Sequence, residues 1–360
     1  MNPKGPAAFK GARIASVGTA SPGFEIGQAE AGEFILTHYR ERLSPRSASL
    51  VRKVFSHPGV RRRRFAFEDP ACLLREDPDE RVRRFTEKSV ELSSLAALRA
   101  VEGAGIAMDS VAALVVSTCT GYICPGVSTY MIERLGLPPG TRAYDLVGSG
   151  CGGAIPNLQL AGSLAQGGEG AVLSVAVEIC SATFQMGDDL SLIVSNALFA
   201  DGAAAAVVSA APGGLEMVSS ASRFVPSERD AIRYIHKGGQ LHNQLSTLLP
   251  RFVRQAVGAV VGDLLGPMSL APADIRHWAL HNGGEKIINA VRDELGLSEG
   301  QVAPSRRVLA EYGNMSSPTV WFVLRDILDS GAVRDGDWVI MVAFGAGLSA
   351  HAMLLRKTGA

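Results

Sequence analysis

Residues 277–284 read HWALHNGG and residues 114–121 read LVVSTCTG, and each is a buried-strand pattern that ends on a chemically able side chain, His281 or Cys119, before opening into glycine. Thirty-two positions after Cys119 (151 − 119), Cys151 stands in the glycine-rich turn DLVGSGCGGAIPN (145–157). Thirty-three positions after His281 (314 − 281), Asn314 stands in EYGNMSS (311–317). A further buried-strand pattern follows each, VLSVAVE (172–178) and VIMVAFG (339–345). The chain therefore reads as two copies of one α/β unit, divided near Pro212 to Gly214 into halves 1–212 and 213–360. A pseudo-twofold pair of halves brings equivalent strand ends together at the centre, which would place Cys151, His281 and Asn314 near one another.

The rest of the sequence supports layers of helix over a buried sheet. Short apolar runs such as ARIASVG (12–18) alternate with amphipathic segments such as EKSVELSSLAALRAVEGAG (87–105) and TLLPRFVRQAVGAVVGDLL (247–265). Of the 360 residues 47% are apolar and 19% charged, with 40 glycines, a composition that builds a large core and many tight turns. Lys plus Arg equals Asp plus Glu at 35 each, so no overall field favours nucleic acid or a membrane surface. Five scattered cysteines (72, 119, 124, 151, 180) without CxxC pairs argue against a disulfide framework or a zinc site. No signal-like segment and no apolar run of 18 residues occurs, so a cytoplasmic protein without membrane insertion is expected.

Cysteine becomes a nucleophile when its thiolate is stabilised, and a helix N-terminus or an imidazole does that. The turn around Cys151 leads into a helical pattern whose first N–H groups would face the sulfur, with Pro156 tolerated if it falls in the first turn. A free cysteine is also commonly an inert core residue, so the turn alone leaves both readings open. His281 could pair with a thiol and donate to a developing oxyanion. Asn314 offers an uncharged donor at a second glycine-lined turn.

Four separated segments, ALFADGAAAAVV (197–208), WALHNGG (278–284), EYGNMSS (311–317) and FGAGLSAHAMLLR (344–356), resemble the signatures of type III polyketide synthases, the chalcone and stilbene synthase superfamily. The resemblance runs from about Ala12 to the C-terminus. It implies a thiolase-like fold of two βαβαβαββ halves in α-β-α-β-α layers, assembled as a homodimer, with no cofactor. It implies iterative decarboxylative Claisen condensation of malonyl-CoA onto a starter held by Cys151, then cyclisation to a pyrone, resorcinol or related phenol. In that chemistry His281 and Asn314 bind the extender's thioester carbonyl and stabilise the enolate.

The resemblance also assigns a cavity. Phe199 matches the gatekeeper aromatic, Cys119 a second cavity cysteine of some bacterial members, and Glu178, Cys180, Thr183 and Ser316 cavity-lining positions. Cys124 precedes the proline of a loop that reaches across the dimer. Lys53, in the basic stretch VRKVFSHPGVRRRRF (51–65), falls where a residue contacts CoA phosphates, and an acyl carrier protein could use the same patch. Two positions depart from the pattern: Tyr234 stands where many members have Gly, and Asn243 where many have a second gatekeeper Phe. The nearest rival is a β-ketoacyl-(acyl carrier protein) synthase III, which performs a single condensation and usually shows HQAN-like and GNTSAAS-like segments. A papain-like hydrolase shares the Cys, His, Asn order, but its CGSCW signature is absent here.

Overall fold

The computed structural model describes residues 5–74, 77–167 and 170–359. Its main sheet contains, in chain order, β1 (Arg13–Ala20), β2 (Val111–Thr118), β3 (Arg142–Val147), β4 (Ala171–Glu178), β5 (Gly202–Ser209), β6 (Gly214–Phe224), β7 (His277–Leu280), β8 (Trp338–Gly345) and β9 (Ser349–Thr358). Their spatial order is β7-β8-β9-β6-β1-β5-β4-β2-β3. Reading outward from the β1/β6 junction gives first, last, penultimate and second strand of each half in both directions, so the order is palindromic apart from β3, which extends the first half at its edge. Only two residue pairs, Arg13–Glu216 and Ile14–Leu215, join β1 to β6.

Four helices set the layers: α1 (Pro78–Ala104), α2 (Ala154–Ala165), α3 (Leu249–Leu265) and α4 (Thr319–Asp329). α1 covers the outer face of β1, β4 and β5, and α3 covers β6 and β9. α2 and α4 each touch strands of both halves and so lie between them. Of four cores, two lie on the outer faces, a central one buries Ile155, Leu158, Trp321 and Leu324 among strands of both halves, and a fourth gathers Ile26, Ile35, Val51, Phe55 and Ile193 away from the main sheet. This is the thiolase-like arrangement of two pseudo-duplicated halves.

Burial on both faces explains why β4 (AVLSVAVE) and β5 (GAAAAVVS) read as continuous apolar runs rather than alternating ones. The alanines of β5 and Gly18 of β1 let α1 sit close, since a Cβ on Gly18 would lie 2.3 Å from the Ala96 carbonyl oxygen. Asn157 is the polar exception inside α2. Its Nδ2 donates to the carbonyls of Val115 (3.1 Å) and Val175 (2.8 Å), and its Oδ1 accepts from Ser174 Oγ (2.6 Å). Every bond is satisfied, and together they pin α2, and with it the turn before α2, to β2 and β4.

β2 runs parallel to β3 and β4, and β7 parallel to β8. Their carboxyl ends lead directly into Cys119, Glu178, His281 and Phe344, and the carboxyl edge of a parallel sheet is where α/β folds place their chemistry.

Candidate active site

Cys151 occupies a single 3₁₀ turn, Gly150–Gly152, that runs straight into α2. Pro156 is the third residue of α2, so its missing N–H falls among groups that have no intrahelical acceptor. Gly150 has φ +54°, and a Cβ there would meet the Ala346 backbone nitrogen at 3.0 Å. A Cβ on Gly345 would lie 2.1 Å from the Ser149 carbonyl oxygen. The turn and the end of β8 thus meet backbone to backbone, an approach that only glycine permits. Cys151 itself is buried. Burial pushes its thiol up to about 12, against hydrogen bonds from the Ser316 and Asn314 side chains and the Cys151 backbone N–H that favour the thiolate.

His281 follows β7, its backbone N–H donating to Val342 O at 2.8 Å. The ring meets Phe344 edge to face at 4.9 Å, and the backbone of Phe344 and Gly345 also flanks Gly152. Both halves of the site therefore converge on the end of β8. Among the described residues neither imidazole nitrogen has a hydrogen-bond partner, although both are buried. Burial drives the imidazole down to about 3, so it is neutral at pH 7.

Asn314 is placed by a bridge to Phe199. Its N–H donates to Leu198 O (2.8 Å), and its carbonyl accepts from the Ala200 N–H (2.9 Å). Gly313 before it has φ +71° and ψ −156°, which L side chains rarely adopt. Oδ1 of Asn314 accepts from the Ser316 N–H at 2.8 Å, leaving the amide nitrogen as the donor toward Cys151. Ser316 has φ +58°, a strained left-handed conformation for a non-glycine residue.

Glu178, at the end of β4, is fully buried and accepts from seven donors. These are the N–H groups of Cys119 (2.9 Å) and Thr120 (3.1 Å), the hydroxyls of Thr118 (3.3 Å), Thr120 (2.9 Å), Ser316 (3.3 Å) and Ser317 (2.8 Å), and the Cys119 thiol (3.3 Å). Burial raises its pKa while these bonds oppose the rise. One carboxylate thereby ties the ends of β2 and β4 to the loop carrying Asn314.

Most residues expected in the cavity join this cluster. Cys119 stands 3.5 Å from Ser316 Oγ, and Thr183 Oγ1 donates to Cys180 O (2.9 Å) and lies 3.5 Å from the Tyr234 hydroxyl. Tyr234 belongs to a ribbon, Ile232–Lys237 with Gln240–Leu245, where Asn243 is its cross-strand partner. Burial raises the pKa of Cys119, Cys180 and Tyr234, so all three are neutral. Phe199 is half-buried after the helix Leu190–Leu198. Lys53 and Cys124 are exposed and outside the cluster, and the Cys124–Pro125 bond is cis.

The basic run differs from its reading as one patch. Arg61 and Arg62 pair with Glu311, and Arg62 and Arg64 with Glu25, whereas Arg63 is buried. Strand pairing of Arg62–Phe65 with Phe24–Gly27 explains the split, because successive side chains face opposite sides. Sequence reasoning missed Arg63 and also His351, a buried histidine whose ring lies against Gly152. Period-two alternation through RRRRF was the available signal for Arg63; nothing local marked His351.

Two family models, described as the N-terminal and C-terminal domains of chalcone and stilbene synthases, match residues 12–212 and 216–359. The chain belongs to the chalcone and stilbene synthase family. It is a type III polyketide synthase, an acyltransferase whose family reaction is iterative condensation of malonyl units onto an acyl thioester. A 3,5-dihydroxyphenylacetyl-CoA synthase of Streptomyces toyocaensis is 30% identical to this polyketide synthase, over 85% of the chain and 82% of the relative. The α-pyrone synthesis polyketide synthase-like Pks18 of Mycobacterium tuberculosis is 29% identical over 95% of the chain and 90% of its own length. The solved 1,3,6,8-tetrahydroxynaphthalene synthase of Streptomyces coelicolor A3(2) shares the fold, with a TM-score of 0.90 at 24% identity, over 97% of the chain and 100% of its own.

Proposed function

We propose that Cys151 is the nucleophile and that His281 and Asn314 form the extender site. The supporting observation is a buried imidazole with both nitrogens unpartnered, sharing the end of β8 with a buried thiol that Asn314 also addresses. His281 takes the thiol proton as sulfur attacks the starter thioester, and returns it to the departing CoA thiolate. The malonyl thioester oxygen then accepts hydrogen bonds from His281 and the Asn314 amide. Carbon dioxide leaves, the enolate oxygen keeps those bonds, and its carbon attacks the Cys151 thioester, expelling the thiolate. The lengthened chain, now on CoA, reloads for another round. Tyr234 limits the cavity and Asn243 loosens its mouth. Exposed Lys53 meets the phosphates of a CoA or acyl carrier protein donor.

Three further readings belong to this proposal. The halves divide at 212/213, supported by the palindromic strand order and by the gap between the two family matches. The protein is a homodimer, supported by the edge of β3, which pairs with no further strand among the described residues and where Val147 is 58% exposed. It works in the cytoplasm, where its five free cysteines stay reduced; among the described residues no helix is long and apolar enough to cross a membrane.

The test is incubation with malonyl-CoA and short aliphatic, long aliphatic and aromatic acyl-CoA starters, with products read by mass spectrometry. Multiply extended products are expected, and Cys151→Ala abolishes acyl loading. A Cys151→Ala protein that still carries an acyl group by intact mass overturns the assignment, and single condensation dependent on acyl carrier protein favours a synthase III reaction.

A further inference from the structure

Arg63 is a buried cation whose hydrogen-bond partners among the described residues are carbonyl and amide oxygens, not carboxylates. Its Nη1 donates to the carbonyls of Asn196 (2.6 Å) and Phe199 (2.8 Å), at the C-terminal end of the helix Leu190–Leu198. Its Nε donates to Gln28 Oε1 (3.0 Å), and Gln28 Nε2 donates to Ala197 O (2.7 Å) in the same helix turn. The guanidinium lies over the rings of Phe55 (5.6 Å) and Phe65 (5.1 Å). Its aliphatic stem packs on the other side of the bridge, since a Cβ on Gly313 would meet Arg63 Cγ at 2.8 Å and Cδ at 2.9 Å. Burial lowers its pKa to about 9, with Asp201 opposing from a distance.

The helix end is thus held by a fork of donors that a flexible ammonium cannot reproduce. Phe199 pairs through its main chain with Asn314, and Arg63 contacts the carbonyl of one and the glycine before the other.

We propose that Arg63 is a positioning residue for the extender site, locking the Phe199 carbonyl and the Gly313–Asn314 turn into one unit that orients the Asn314 amide and the gate ring together. The inference rests on the role proposed for Asn314 and on the gate that the family resemblance implies at Phe199. The backbone of Cys151 is held separately, by β8 and α2, and its thiol also has the Ser316 hydroxyl and its own N–H beside the Asn314 amide, so acylation falls less than condensation. Displacing a catalytic donor by an ångström is enough to slow a reaction about a hundredfold.

The experiment compares wild type, Asn314→Ala, Arg63→Met, Arg63→Lys and Gln28→Leu. Each is read for malonyl-CoA consumption (kcat and KM), for the rate of Cys151 acylation by intact mass, and for Tm. Arg63→Met keeps the apolar stem and should lower kcat for malonyl-CoA by about tenfold to a hundredfold while acylation of Cys151 stays within about twofold. Arg63→Lys should recover part of the loss. Gln28→Leu, which frees the guanidinium without removing it, should shift kcat in the same direction by less, and it carries the test if Arg63→Met does not fold. Equal loss of acylation and condensation, or unchanged kinetics in folded Arg63→Met, overturns the role of Arg63. Inactive wild type, or an Asn314→Ala protein as fast as wild type, instead counts against the proposed reaction.

Discussion

Glu178 and His281 are both buried at strand ends of the site, yet one accepts from seven donors and the other's imidazole meets no partner among the described residues. Leaving a buried polar group unpaired costs about 1–3 kcal/mol, and native proteins seldom tolerate it. The saturated carboxylate has no capacity left for a substrate, and its bonds join three chain segments into one wall. The imidazole, edge to face against Phe344 and without a partner among the described residues, keeps both nitrogens for a ligand. The difference separates the group that builds the site from the group that the chemistry would use.

Exchanging these two residues for apolar ones gives the largest effects expected. His281→Ala should cut malonyl decarboxylation by about a hundredfold to ten thousandfold. Its Tm should stay close to wild type, because no hydrogen bond is lost. Glu178→Leu should do the reverse in emphasis, lowering stability by about 3 kcal/mol or more as seven donors lose their acceptor. Thermal melting and decarboxylation assays on the two variants check this directly. A strongly destabilised His281→Ala protein, or a Glu178→Leu protein of unchanged Tm, would break the contrast.

The contrast also marks what could be read from sequence. Cys151, His281 and Asn314 were legible because each sits at a strand end or a glycine turn, features that are written locally and that recur at matched spacing in both halves. The layering was legible for the same reason, since continuous apolar runs and amphipathic segments declare which faces are covered. The wall around Glu178 was named only as a row of cavity positions, because its donors lie 58 to 60 and 138 to 139 residues away. No periodicity encodes contacts at that range. The stretch 51–65 does not form one basic face, because the two-residue period of Arg62–Phe65 turns Arg63 inward, and composition carries no trace of that alternation.

A smaller effect follows from the buried imidazoles through pH. The His281 imidazole is held down to about 3 and that of His351 to about 4, against an ordinary value of 6.5, and burial is the cause in both. Below pH 6.5 the unfolded chain therefore takes up protons that the native state refuses, so stability falls as pH drops, by at most about 1.4 kcal/mol per pH unit for each group. Replacing His281 by Ala should make the acid side of a Tm against pH curve shallower. The same slope in both proteins would mean that His281 is protonated in the native state.

The smallest expected effect concerns product rather than rate or stability, and it tests whether the wall around Glu178 only holds shape. Tyr234 reaches this wall from the ribbon Ile232–Lys237, and its hydroxyl has one long contact, 3.5 Å to Thr183 Oγ1. A hydroxyl so weakly tied contributes little through bonding, which leaves the volume of the ring as its means of action. Tyr234→Gly should therefore shift the products toward longer chains by mass spectrometry, with kcat for the first condensation little changed. Tyr234→Phe should leave the wild-type spectrum intact. Wild-type products from Tyr234→Gly would show that the ring does not limit the cavity, and altered products from Tyr234→Phe would assign its influence to the hydroxyl instead.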